Sequence, residues 1–104
     1  MKCKTNKTNL KLKIMKTLQD YQNLKNQLEE IKINHTGEHL EAGSVIVRAR
    51  GLNWRECKKL GMEKDSYYGW VFYSTSTNTN SYSLYEKIKK ACEGFNLFVS
   101  ERQL

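Results

Sequence analysis

The sequence predicts one small α+β domain, a three-stranded mixed sheet with helices packed on one face, in the order α-β-α-β-α-β. Three observations carry this expectation. The chain has 104 residues, the size of a single domain. Apolar residues at helical spacing run from Leu10 to Ile33 and define a long N-terminal amphipathic helix. Beyond it, short apolar or alternating runs bounded by glycine and asparagine recur between helical stretches. Hydrophobic residues make up only 38% of the chain and mean hydropathy is −0.74. Two Trp, six Tyr and three Phe nonetheless supply enough area for a compact core.

In the first helix the stripe consists of Leu10, Ile14, Leu18, Tyr21, Leu24, Leu28 and Ile31. Read as heptads, Ile14, Tyr21 and Leu28 share one seam position; Leu10, Leu24 and Ile31 share the other, with Thr17 interrupting it. A coiled coil needs at least three unbroken heptads, so the stripe is expected to pack on the protein's own sheet. A homodimer through residues 10–33 is the alternative. The helix stops in Asn34-His35-Thr36-Gly37, and a polar loop runs to Gly43.

Ser44–Arg50 then alternates as a strand, with Val45, Val47 and Ala49 on one face and Ile46, Arg48 and Arg50 on the other. Asn53 and Glu56 form a capping box for a short helix, Trp54–Leu60. Tyr68–Thr75 is apolar on both faces, as a central strand should be. Ser83 and Glu86 mark the start of a third helix, which Gly94 ends, and Phe95–Ser100 is the last strand. Strand-helix-strand succession favours parallel neighbours. No internal repeat or domain boundary is visible.

The net charge of +7 is concentrated at one end. Residues 1–16 carry six lysines and no acid, which leaves twelve basic against eleven acidic groups among residues 17–104. Residues 1–9 therefore read as a basic arm and residues 10–104 as the domain. Lys2, Lys4, Lys7, Lys11 and Lys13 are of the type that contacts phosphates without sequence preference. Met15 is a second candidate start, and a start there would remove most of this arm. Richness in Lys, Asn, Ile and Tyr without proline is compatible with an A+T-rich genome, such as that of a low-GC bacterium, its phages or its plasmids.

Several classes of function lack their residues. His35 and His39, with Glu38 and Glu41, are the one cluster with metal-ligand spacing, but Gly37 breaks the helix that would align them. Cys57 is a conceivable nucleophile without a local base, and no G-x-S-x-G, glycine-rich phosphate loop or H-E-x-x-H occurs. No enzyme activity, metal or cofactor is expected. No apolar run nears the roughly 20 residues that span a bilayer, and the basic N-terminus has no apolar stretch behind it. Three cysteines without C-x-x-C spacing suit reduced thiols. A cytoplasmic location without membrane contact is the expectation.

The aromatic strand bears most on function. Tyr68-Gly69-Trp70-Val71-Phe72-Tyr73 resembles the aromatic-strand signature of the RNA-recognition motif. Val45-Ile46-Val47-Arg48-Ala49-Arg50-Gly51-Leu52 is similar to that family's opening strand. Ser66 and Tyr67 stand where the family has a basic residue and a glycine. The interval between the two strands reads as too short for the helix and extra strand that the family places there. The resemblance implies strand aromatics that stack bases and basic side chains that hold the backbone.

The expected function is that of a small non-enzymatic nucleic-acid-binding or regulatory protein, with a preference for single strands. Its site would comprise the lysine arm with Arg48, Arg50, Tyr68 and Trp70. The alternative is a protein-directed module, such as a phage- or mobile-element-encoded inhibitor of a host enzyme, that uses Trp54, Tyr67 and Tyr68. Position separates the two. Arg48, Arg50 and Trp70 on one open sheet face would favour nucleic acid, whereas helices over both faces would favour a protein partner.

Overall fold

A computed structural model describes residues 16–36 and 42–103. The elements, in chain order, are α1 (Leu18–Asn34), β1 (Gly43–Ala49), α2 (Trp54–Lys59), β2 (Glu63–Asp65), β3 (Gly69–Thr77), α3 (Ser81–Ala91) and β4 (Leu97–Gln103). The fold is α+β, as expected, but its sheet has four strands in the order β2-β3-β1-β4, and every described pairing is antiparallel. This corrects the three-stranded mixed sheet. The additional strand, β2, consists of exposed Glu63, Lys64 and Asp65, which show no apolar alternation for a sequence reading to detect. The order is therefore α-β-α-β-β-α-β.

Among the described residues parallel neighbours do not occur, for a topological reason. Strand β1 pairs with both β3 and β4, so β3 and β4 run in the same sense with β1 inserted between them. Strands β1 and β2 are divided in the same way by β3. From β1 onward the chain is a β-α-β-β-α-β unit made of two interleaved split βαβ arrangements. The interval between β1 and β3 does hold a helix and an extra strand, because α2 needs only six residues and β2 three.

Helix α1 begins later than its apolar stripe suggests. Thr17 is the N-cap, with an extended backbone. Its hydroxyl accepts a hydrogen bond from the Asp20 N–H at 3.0 Å, and its own N–H donates to the Asp20 carboxylate at 2.9 Å. The residue that interrupts the heptads thus starts the helix; Leu10 to Met15 lie outside the described residues. Asn80 rather than Ser83 caps α3. Its side chain accepts from the Ser83 N–H at 3.1 Å, and its left-handed backbone (φ 42°) is one that asparagine tolerates.

One face of the sheet forms the core. Val45 and Val47 of β1 and Leu97 and Val99 of β4 meet Tyr21, Leu24 and Leu28 of α1 and Leu84 and Ile88 of α3. Tyr21 makes edge-on contacts with Phe72 and Phe95, at 5.9 and 5.1 Å between centroids. Its hydroxyl accepts from the Asn96 N–H at 3.2 Å. The α1 stripe is therefore committed within the chain, and a second copy could not use Tyr21, Leu24 and Leu28 as a seam without unpacking them.

Strand β3 carries a bulge. Val47 faces Tyr73 while Arg48 faces Val71, so Phe72 is the extra residue. At such a bulge two consecutive side chains lie on one side. Phe72 reaches Tyr21, and the Tyr73 hydroxyl donates to the Glu29 carboxylate of α1 at 2.9 Å. Burial and the neighbouring Glu29 carboxylate push the Tyr73 phenol up to about 12.

Two outcomes test this packing. A Cβ at Gly43 would lie 2.6 Å from Ser81 Cβ and 3.0 Å from the Arg102 carbonyl oxygen. Gly43→Ala is expected to lower stability by about 1–3 kcal/mol in urea unfolding; an unchanged midpoint would contradict the docking of α3 on β1. Tyr73 keeps its proton in the fold at a pH where the unfolded chain has begun to lose it. Its contribution is thus complete below about pH 10 and lost as pH rises toward 12. Between pH 8 and 11 the wild type should lose more stability than Tyr73→Phe.

Candidate functional site

Alternation along β1 sends Val45, Val47 and Ala49 to the helices and Ser44, Ile46 and Arg48 to the opposite face. The buried side chains of the described helices gather with Val45 and Val47 on the first face, and Ile46 of the second face is not part of that cluster. Register carries the alternation to the neighbouring strands. Ser74 and Ser76 of β3, and Phe98, Ser100 and Arg102 of β4, stand beside Ile46, Ser44 and Arg48.

Tyr68 joins this face from the β2–β3 loop. Asp65 opens the loop, and one of its carboxylate oxygens accepts from the backbone N–H groups of both Tyr67 and Tyr68 at 2.8 Å. These two bonds hold the Asp65 carboxyl below the usual carboxylate range. Gly69 closes the loop with φ 80°, a conformation that suits glycine. Within the loop the Tyr67 and Tyr68 rings meet edge to face at 4.7 Å; Tyr67 is 79% exposed.

The side chains of this face form a connected set. The Arg48 guanidinium lies 5.1 Å from the centre of the Phe98 ring and 5.8 Å from that of Tyr68. Arg102 donates to the Tyr68 hydroxyl at 3.3 Å. Ile46, which lies in register between Ser44 and Arg48, is only 6% exposed. Two shallow hollows adjoin and share Tyr68. One, of about 390 Å³, is lined by Arg48, Ala49, Arg50, Tyr68 and Phe98. The other, of about 560 Å³, runs past Ile46, Ser44, Ser74 and Ser76 to Arg102, with Glu63 and Asp65 at its β2 side.

The structure brings Arg48, Arg50 and Tyr68 together but places Trp70 elsewhere. Because of the bulge, Val71 opposes Arg48 and Trp70 turns to the helix side, where it packs, partly buried, against the core. Its pairing partner Lys64 holds an ammonium 5.7 Å from the indole ring. Lys2, Lys4, Lys7, Lys11 and Lys13 lie outside the described residues. Phe98 and Arg102 escaped the sequence reading. Alternation could have found both: Phe98 already lies in the expected strand Phe95–Ser100, and Arg102 follows on the same face once that strand is extended to Gln103.

Two described residues suited to other chemistry, His35 and Cys57, are hydrogen-bonded and buried respectively. Nε2 of His35 lies 2.8 Å from the Thr79 carbonyl, which can only accept, so that nitrogen carries the hydrogen; Nδ1 faces the Lys87 ammonium at 3.4 Å. Its sequence partner His39 lies outside the described residues, as do Glu38 and Glu41. Cys57 is fully buried, and burial with the Glu56 charge pushes its thiol up, away from the thiolate needed for attack. Among the described residues no helix is long and apolar enough to cross a membrane. Compared with known proteins, the chain matches no family model, no curated protein and no solved structure.

The Asp65 loop sets the position of Tyr68, and this can be measured. Asp65→Ala is expected to speed amide hydrogen exchange at Tyr67 and Tyr68 while leaving the unfolding midpoint nearly unchanged. Asp65→Asn, which keeps an acceptor oxygen, should retain most of the protection.

Proposed function

We propose that this protein is a small non-enzymatic module that binds single-stranded nucleic acid on the open face of its sheet. One juxtaposition carries the reading. Arg48 and Phe98 of adjacent strands, Tyr68 of a loop and Arg102 of β4 form one contiguous surface. Aromatic faces beside guanidinium groups are the elements of a single-strand platform, since every base has a π-face and every nucleotide a phosphate. Tyr68 and Phe98 would stack bases. Arg48, Arg50 and Arg102 would hold phosphates or stack through their planar guanidinium groups.

Two further observations support it. The β-α-β-β-α-β order puts the strands that resemble the RNA-recognition motif, β1 and β3, at the centre of a four-stranded sheet, the architecture with which that motif binds RNA. The lysine-rich residues 1–16 would add affinity that falls with salt. A protein partner remains the second reading, favoured by Trp54, which is 56% exposed beside Arg55 and Lys58.

Fluorescence anisotropy with labelled single-stranded RNA, single-stranded DNA and duplex DNA tests the proposal. Single strands should bind more tightly than the duplex. Alanine at Tyr68 or Phe98 is expected to cost about 1–3 kcal/mol of binding. Arg48→Gln and Arg102→Gln should each weaken binding and reduce the salt slope by about 0.7 for every phosphate that is no longer neutralised. If only replacement of Lys2, Lys4, Lys7, Lys11 and Lys13 by glutamine abolishes binding, the arm alone is responsible and the sheet reading fails. No binding at all would turn attention to a protein partner.

A further inference from the structure

The open face is electrically lopsided. Its three arginines, Arg48, Arg50 and Arg102, belong to β1, its immediate C-terminal end and β4. Its carboxylates, Glu63 and Asp65, belong to β2 on the far side of β3. A phosphodiester backbone is drawn to the first half and repelled by the second. A strand laid on this face would keep its phosphates near the arginines of β1 and β4, and a base stacked on Tyr68, which lines the hollow that Glu63 lines, would turn its edge toward β2.

The two carboxylates are not equivalent. An Asp65 oxygen is taken by the backbone N–H groups of Tyr67 and Tyr68 and serves the loop. Glu63 stands exposed opposite Val71 and lines the larger hollow together with Tyr68. An ionised carboxylate only accepts hydrogen bonds. It therefore suits a base edge that offers an amino group and opposes one that offers a carbonyl oxygen. Cytosine and uracil differ in this way at position 4, amino against carbonyl.

We propose that Glu63 is a specificity residue that selects bases with an exocyclic amino group, so that the face prefers cytosine over uracil. This rests on the reading of the open face as a single-strand platform. It adds to that reading the orientation of the ligand and the class of base it takes.

The full chain would be titrated with fluorescein-labelled 12-mers of cytidine and of uridine ribonucleotides at pH 7.5. The cytidine oligomer is expected to bind at least about fivefold more tightly, the lower end of what one good base-edge contact gives. Glu63→Gln should bring the ratio close to one, mainly by strengthening uridine binding, because an amide offers a donor as well as an acceptor. Equal affinities in the wild type, a preference for uridine, or a ratio unchanged in Glu63→Gln would overturn the proposal. The two levels separate cleanly. If both oligomers bind equally and Arg48→Gln weakens both, the platform stands and the selectivity falls; if neither binds, both fall.

Discussion

The bulge at Phe72 governs how the rest of the structure is arranged. In a strand of strict period two, Tyr73 on the helix side would put Phe72 and Trp70 together on the opposite face. The extra residue cancels one alternation, so Phe72 and Tyr73 both point into the core and every side chain before them changes face. Phe72 can then pack edge-on against Tyr21 while Tyr73 reaches Glu29, and the two contacts fasten α1 along β3. Trp70 is drawn to the core side by the same register shift. What remains on the open face near Arg48 is Val71, a small side chain that leaves room for Tyr68 to enter from the loop.

The helix-covered side is bound together by buried polar pairs as well as by apolar area. Ser81, fully buried at the start of α3, donates to Glu101 of β4. Both partners of such a pair must be satisfied, or the buried group costs more than the bond contributes. Ser81 also sits against Gly43, where the absence of a side chain lets α3 approach the beginning of β1. The α1 stripe, the α3 stripe and these pairs commit one face of the sheet to stability. The other face carries serines, arginines and two aromatic rings around Ile46 and Val71.

Net charge is a poor guide to where that recognition would lie. The excess of +7 resides almost wholly in the first 16 residues, and the remainder is nearly balanced. On the second face of the sheet the fold separates the signs: Arg48 and Arg102 belong to β1 and β4, Glu63 and Asp65 to β2. Arg48 lies beside two rings and Arg102 donates to the Tyr68 hydroxyl, so both cations are held in position. Pre-organisation of this kind lowers the entropic cost of binding. It depends on the pairing of β1 with β4, distant in the chain.

Local signals were legible in the sequence because they act between residues close along the chain. The alternation of Val45 to Arg48, the Asn53–Glu56 capping box and the helical stripe from Tyr21 to Leu28 all specify their elements through period or through contacts three or four residues apart. So Arg48 and its face were found. Strand β2 was not, since three charged residues form a strand only because β3 lies beside them. Asn80 displaced Ser83 as the cap of α3. The sequence by itself determined the α+β class, the two faces of β1 and the location of the lysines. Only the tertiary structure decided that β1 would separate β3 from β4, that Phe98 and Arg102 would join Arg48, and that Trp70 would leave them. The physical reason is that strand pairing and bulges arise from hydrogen bonds between distant segments, and one residue of register moves every side chain to the other face.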